Sequence, residues 1–336
     1  MLRKGLAEAG FGQVPVIAVC AQGFEENPGF RVTPAMVHRG LQALVLGDLL
    51  QTVLLRVRPY QSAPGSATEL YQRWDRICQE FFTYGGFSPT LGRRIGYSQL
   101  IGRLVAEFNE LPLRDIPRKP RIGLVGEILV RFHPDANNHA VAVIEDEGCE
   151  AVLPGLLEFF GQSLFTGDWK WQHLGIGEHS RHAKRIGLWL MEQYQAPAQR
   201  ALAGCNGKFG LQSDLSTMAT PPQNIIALGP TAGEGWLLTA EMMELIENGT
   251  PNIICAQPFA CLPNHVVGKG MFRELRRLHP QANITSIDYD PGASEVDQLN
   301  RIKLVVAGAH KGHHPGGRVG SPQPAQDRND VASPAP

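Results

Sequence analysis

The sequence predicts an α/β fold with a doubly wound parallel sheet in its C-terminal lobe. Three observations carry this expectation. Short apolar runs at residues 122–130, 252–256 and 284–287 have the length of buried strands. Amphipathic helical patterns lie between them, and Gly, Pro and Asn punctuate the junctions. Strands alternating with helices at this spacing imply right-handed crossovers and a sheet covered on both faces. Residues 225–306 give the pattern most sharply, as a βαβα unit.

Composition bounds the answer. The chain has 336 residues, 43% hydrophobic and 19% charged, with a formal net charge of -1. That is the make-up of a globular protein of about two domains, with no electrostatic footprint for nucleic acid or an anionic membrane. No secretory signal opens the sequence and no run reaches eighteen apolar residues, so a cytoplasmic protein is expected. The six cysteines, at 20, 78, 149, 205, 255 and 261, lie far apart. This argues against a disulfide framework and leaves reduced thiols or metal ligands.

Taken in order, residues 14–19 read as a strand feeding a turn-rich loop. Thr33 and Pro34 supply a cap and first-turn proline for a long helix ending near Pro59. Helices over about 67–82 and 99–111 follow, so residues 1–116 form a mainly helical part with one strand. The proline-bracketed Pro117-Arg118-Lys119-Pro120 marks the boundary to an α/β lobe at 117–307. Within that lobe, a strand at 122–130, a helix at 137–148 and a strand at 151–153 make a βαβ unit. Residues 161–221 have little strand character and read as a helical insertion. A strand at 225–228 then leads into a helix whose N-terminus, Thr231 to Glu234, reads as a capping box, with Glu234 completing the cap. A strand at 252–256, a helix at 264–278, a strand at 284–287 and a helix at 294–306 complete the lobe. The tail, 308–336, reads as disordered, and its three histidines within five residues (His310, His313, His314) as chance composition.

In open α/β sheets, ligands sit outside the carboxyl ends of the strands. Four loops qualify: Cys20 to Gly23, Glu127 with Arg131 to His139, Pro230 to Gly235, and Gln257 to His265. Cys261 is the sharpest candidate, because Pro258 and Pro263 fix its loop and Asn264 begins a helix whose amides favour a thiolate nearby. The bland alternative is a small buried hydrophobe, the ordinary fate of a free cysteine. Cys205, flanked by Gly204 and Asn206-Gly207, is a weaker metal-ligand candidate, and Cys255, Cys78 and Cys149 read as structural. Glu127, His133, Asn137, His139, Glu234 and His265 are further site candidates, although turn formation and capping account for Asn137 without a ligand. No C-x-x-C pair is present. Neither Gly175-Ile176-Gly177 nor Gly268-Lys269-Gly270 has the spacing of a nucleotide loop, so no nucleotide site is read.

Several longer motifs carry a resemblance. Glu26-Asn-Pro-Gly-Phe30, Val57-Arg-Pro-Tyr60, Val125-Gly-Glu-Ile-Leu129, Phe132-His-Pro-Asp-Ala-Asn-Asn-His139, Gly233-Glu-Gly-Trp236, Gln257-Pro-Phe-Ala-Cys-Leu-Pro-Asn-His265 and Ile287-Asp-Tyr-Asp-Pro-Gly-Ala-Ser-Glu295 resemble the C-terminal region of the large acyl-CoA dehydratase activase-related proteins. These are relatives of the 2-hydroxyglutaryl-CoA dehydratase family. The resemblance implies flavodoxin-like lobes whose cysteines hold a 4Fe-4S cluster, an ATP-dependent activase that supplies low-potential electrons, a dehydratase-like partner lobe or subunit, and an acyl-CoA as the substrate class. It also implies that Cys261 stands at a cluster-ligand position. The family's ATPase region and further cluster cysteines do not precede Met1, so a truncated chain is expected, with ligands to be supplied by a partner. Two function classes follow. One is an iron-sulfur redox component of a dehydratase-like or double-cubane reductase-like system; the other is a cluster-free structural or binding lobe, or a nonfunctional fragment.

Overall fold

The computed structural model describes residues 2–16, 31–210, 213–290 and 292–312. The strand expected at 14–19, the Cys20 to Gly23 loop and the tail beyond 312 lie wholly or mostly outside them. Two units are distinguished, residues 1–41 and 42–336. In the first, helix α1 (Leu2–Glu8) is followed by a turn in which Arg3 donates to the Val16 carbonyl at 3.0 Å.

Helix α2 (Pro34–Val57) begins in the first unit and continues into the second, where Val45, Leu46, Leu49, Leu50, Val53 and Val57 are buried. By length and composition the segment Pro34–Tyr60 could cross a membrane, but this burial is that of a core helix. Helices α3 (Ser66–Thr83) and α4 (Tyr97–Glu110) follow as expected, separated by a two-stranded hairpin of β1 (Phe87–Ser88) and β2 (Arg93–Arg94).

The α/β class is observed. Strands β3 (Arg121–Gly126), β4 (Glu150–Val152), β5 (Asn252–Gln257) and β6 (Asn283–Asp288) form a parallel sheet in the order β4-β3-β5-β6. Their alternating side chains feed two cores. Ile122, Leu124, Ile254, Ala256 and Ile287 pack with α6 (Ala140–Asp146) and α12 (Glu295–Gly312). Val125, Ile253, Cys255 and Ile284 pack with α10 (Gly235–Glu247) and α11 (Phe272–Leu278). Both faces are therefore dry, as continuous apolar strands require.

Between β4 and α10 the chain is helical, as expected of the insertion: α7 (Leu157–Leu174), α8 (Glu178–Ala203) and the short α9 (Leu215–Ala219). Four boundaries differ from the sequence expectation. The run at 122–130 splits, because Gly126 at φ +125° ends β3 and Glu127 caps a short α5 (Ile128–Phe132), its carboxylate accepting from the Val130 amide at 2.9 Å. Residues 225–228 are not a strand. There the Pro222 carbonyl accepts from the amides of both Ile225 and Ile226, and the apolar side chains pack as a loop against α10 and its neighbours. The helix expected from 264 opens as a π turn at Asn264–Gly268 and a 3-10 turn at Lys269–Met271 before α11. Finally, α12 runs on to Gly312, so His310 is helical and contacts the Glu147 carbonyl at 3.1 Å.

Candidate functional site

The strand order reverses between β3 and β5: β3 leads outward to β4, and β5 outward to β6 on the other side. A crevice beyond the carboxyl ends of such strands is the usual ligand position in an open α/β sheet. Here it is built from Glu127 after β3, Glu234 before α10, and the Gln257 to His265 loop after β5.

The backbone brings these segments close. A Cβ on Gly126 would lie 1.9 Å from the Ala256 carbonyl oxygen, and the Glu127 amide donates to that same oxygen at 2.9 Å. Gly233, at φ +57°, lies against Pro263, so the loop before α10 seats directly on the cysteine loop. Ala260 is also left-handed, at φ +59°. A non-glycine residue holds that conformation only where its surroundings enforce it. Here Cys261 donates its amide to the Pro258 carbonyl, and its own carbonyl accepts from the His265 amide at 3.0 Å and lies 2.9 Å from His265 Nδ1.

Asn264 is fully buried and organises the centre. Its Nδ2 donates to Cys261 Sγ at 3.1 Å and to Glu234 Oε2 at 3.0 Å, while Cys255 Sγ lies 3.9 Å from its Oδ1. Glu234 Oε1 accepts from the Ile128 amide at 3.3 Å. The expected capping box is thus corrected. Glu234 makes no cap hydrogen bond to α10, because its carboxylate is drawn across to α5 and Asn264; the Trp236 amide is instead taken by the Pro230 carbonyl. Burial first, and then the charge of Glu127, push the Glu234 carboxyl up from its ordinary value.

Cys261 is half-exposed, whereas Cys78, Cys149, Cys205 and Cys255 are buried. Burial pushes the Cys255 thiol well up, and that of Cys149 to about 11. Cys205 follows α8 in a turn whose Lys208 carbonyl accepts from Arg56, and Arg56 in turn holds Glu150, the first residue of β4. It therefore belongs to the amino edge of the sheet, opposite Cys261.

The other candidates sort by their contacts. Asn137 is buried, bonding the Val130 and Arg131 carbonyls and capping Ala140, as the capping alternative anticipated. His133 and His139 are exposed, and His139 Nε2 lies 3.5 Å from Asp135. His265 sits on the Cys261 loop near Gln257, whose Nε2 donates to Asp288 at 2.7 Å.

Among the described residues no group of three His, Cys, Asp or Glu side chains could hold a metal ion. Four thiolates are the usual set for a 4Fe-4S cluster, and the described part of this edge offers one. Alone, these residues do not fit a cluster. No family model, curated protein or solved structure matches the chain.

Sequence reasoning missed Asn264 as the residue that bonds the thiol, as well as the buried pair Arg131–Glu241, the half-buried acid Asp48 and the buried acid Glu158. The available signal was a charged residue inside an apolar helical stripe: Asp48 between Leu46 and Leu49, and Glu241 between Ala240 and Met242.

Proposed function

We propose that this chain is the α/β lobe of an iron-sulfur redox component in a 2-hydroxyacyl-CoA dehydratase-like or double-cubane reductase-like system, located in the cytoplasm. In this reading Cys261 is a single thiolate ligand, the remaining ligands come from a partner lobe or subunit, and an ATP-dependent activase supplies low-potential electrons. The strand order β4-β3-β5-β6 supports a flavodoxin-like lobe, since it has the 2-1-3-4 sequence with which that topology begins.

The observation that carries the reading is the setting of Cys261. The residue follows β5 at the reversal point and is partly open to solvent, and its sulfur receives an N–H bond from a buried amide that Glu234 holds in place. Hydrogen bonds to sulfur are a principal means by which proteins tune cluster potentials. Phe259 and Leu262, 74% and 72% exposed on either side, suit the thiol to an interface rather than to open water.

Anaerobic reconstitution with iron and sulfide, in the presence of a candidate partner, tests this by visible and EPR spectra. A cluster signal lost or altered in Cys261→Ala and unchanged in Cys205→Ala is expected. No cluster with any partner, or an unchanged one in Cys261→Ala, overturns the reading. The second reading, a cluster-free binding lobe, is favoured by the lone thiol and the same exposed Phe259 and Leu262. It predicts a complex that forms without iron and is weakened by Phe259→Ser with Leu262→Ser.

A further inference from the structure

Four buried polar atoms where α5, α7 and α10 meet have no hydrogen-bond partner. Arg131 Nε and Trp236 Nε1 are donors; Glu158 Oε2 and Gln162 Oε1 are acceptors. Contacts of their residues tie the three helices together. Glu158 and Gln162 are one turn apart on α7, and Phe165 of the same helix packs on Trp236 with ring centroids 5.7 Å apart. Gln162 donates to the Gly233 carbonyl at 2.9 Å and rests beside Gly235, while Arg131 reaches Glu241 of α10 at 2.8 Å. Buried donors and acceptors without a protein partner are groups that ordered water satisfies.

The seam approaches solvent between α2, α7 and α8. Two crevices there share Leu157 and Gln195; one is lined by Asp48, the other by Glu158, Glu192 and Asp214. Asp48 accepts the Leu156 and Leu157 amides, both at 2.9 Å, which satisfies its two oxygens. Glu158 receives the Gln195 side-chain amide, at 2.8 Å on Oε1, and its own backbone amide, while Oε2 has no partner. The charges that face it are Asp48 from α2 and Glu241 from α10, both of its own sign, with Glu192 and Asp214 on the same crevice. The cation that acts on Asp48, Arg131 of α5, is engaged by Glu241. Burial first and Asp48 second push the Glu158 carboxyl up to about 7, and burial raises Asp48 as well.

We propose that Glu158 is a proton-binding site serving the carboxyl-edge crevice. Its carboxylate takes one proton from water beside Gln195 and becomes the neutral acid. It then releases that proton through ordered water along the seam, past Arg131 and Glu241 toward Glu234, and returns to the carboxylate. Glu234 is the far end of this line, since it senses the charge of Glu241 and bonds Asn264 at the centre of the site. The inference goes beyond the iron-sulfur reading and does not rest on it.

Infrared difference spectroscopy of the full chain across pH 5.5 to 9 tests the proton site without any cofactor. A protonated-carboxyl band that fades with a midpoint near pH 7, shifts in D2O and is absent from Glu158→Gln is expected. A band that persists unchanged in Glu158→Gln, or no such band at pH 5.5, overturns the site. If Glu158→Gln does not fold, Asp48→Asn answers the question: removal of the like charge is expected to lower the midpoint, and an unmoved midpoint counts against the proposal. A crystal structure showing water bonded to Arg131 Nε, Glu158 Oε2, Gln162 Oε1 and Trp236 Nε1 supports the path, and a dry seam overturns it.

Discussion

Gly126 has no room for even a methyl group, since a Cβ there would meet the Ala256 carbonyl at 1.9 Å and the residue sits at φ +125°. Gly126→Ala is expected to cost about 3 kcal/mol, read as a lowered urea midpoint. Asn264 is the other residue on which the crevice depends. Asn264→Ala leaves Glu234 Oε2 and Cys261 Sγ without their donor, at a cost of about 1–3 kcal/mol. Because an N–H donor supports charge on sulfur, the variant should also alkylate more slowly at Cys261 with iodoacetamide at neutral pH. An equal or faster rate in the folded variant would rule out that role. The position of Cys261 at a strand's carboxyl end was legible, because Pro258, Pro263 and the apolar run before them fix it locally. The bond from Asn264 was not, because it depends on Glu234, thirty residues upstream.

At the scale of elements, helix α10 is tied to α5 by Arg131 and Glu241, whose side chains are 1% and 2% exposed and doubly bonded at 2.8–2.9 Å. Removing one partner of a buried pair strands the other charge. Arg131→Met is therefore expected to lose about 3–5 kcal/mol, whereas Arg131→Met with Glu241→Leu should recover most of it; denaturant melts of the three proteins check this. Elements with a strong period, such as α2, α3, β5, β6 and α12, could be read from sequence because their burial follows that period. The apolar run at 225–228 could not. Ile225, Ile226 and Leu228 pack inward from a loop, and the same residues in a strand would give the same pattern. The capping box failed for a related reason. A carboxylate three residues after a threonine has the spacing of a cap, but here the Ile128 amide and Asn264 compete for it.

For the whole molecule, several carboxyls are raised by burial: Asp48, Glu145, Glu158, Glu234, Glu241 and Glu244. The sign follows from linkage. A carboxyl raised above its unfolded value contributes stability that is fully present below that value and is lost as pH rises through the folded value. For Glu158 the window runs from 4.5 to about 7. The chain is therefore expected to be more resistant to urea at pH 5.5 than at pH 8. Glu158→Gln should remove about 2 kcal/mol of that difference, mainly by stabilising the protein at pH 8. A pH dependence identical to the parent's would contradict the burial of this acid as a charge.

The opposite placement of Cys205 and Cys261 makes the lobe one-sided. Glu150 at the amino edge is clasped by Arg56, Tyr60 and Arg118, and no sulfur among the described residues emerges there. Any molecule that bonds to a cysteine thiol in the described lobe must come from the rim where the strands end. Two copies could share such a bond only by meeting rim to rim, so an assembly built around Cys261 has its polarity set before a partner arrives.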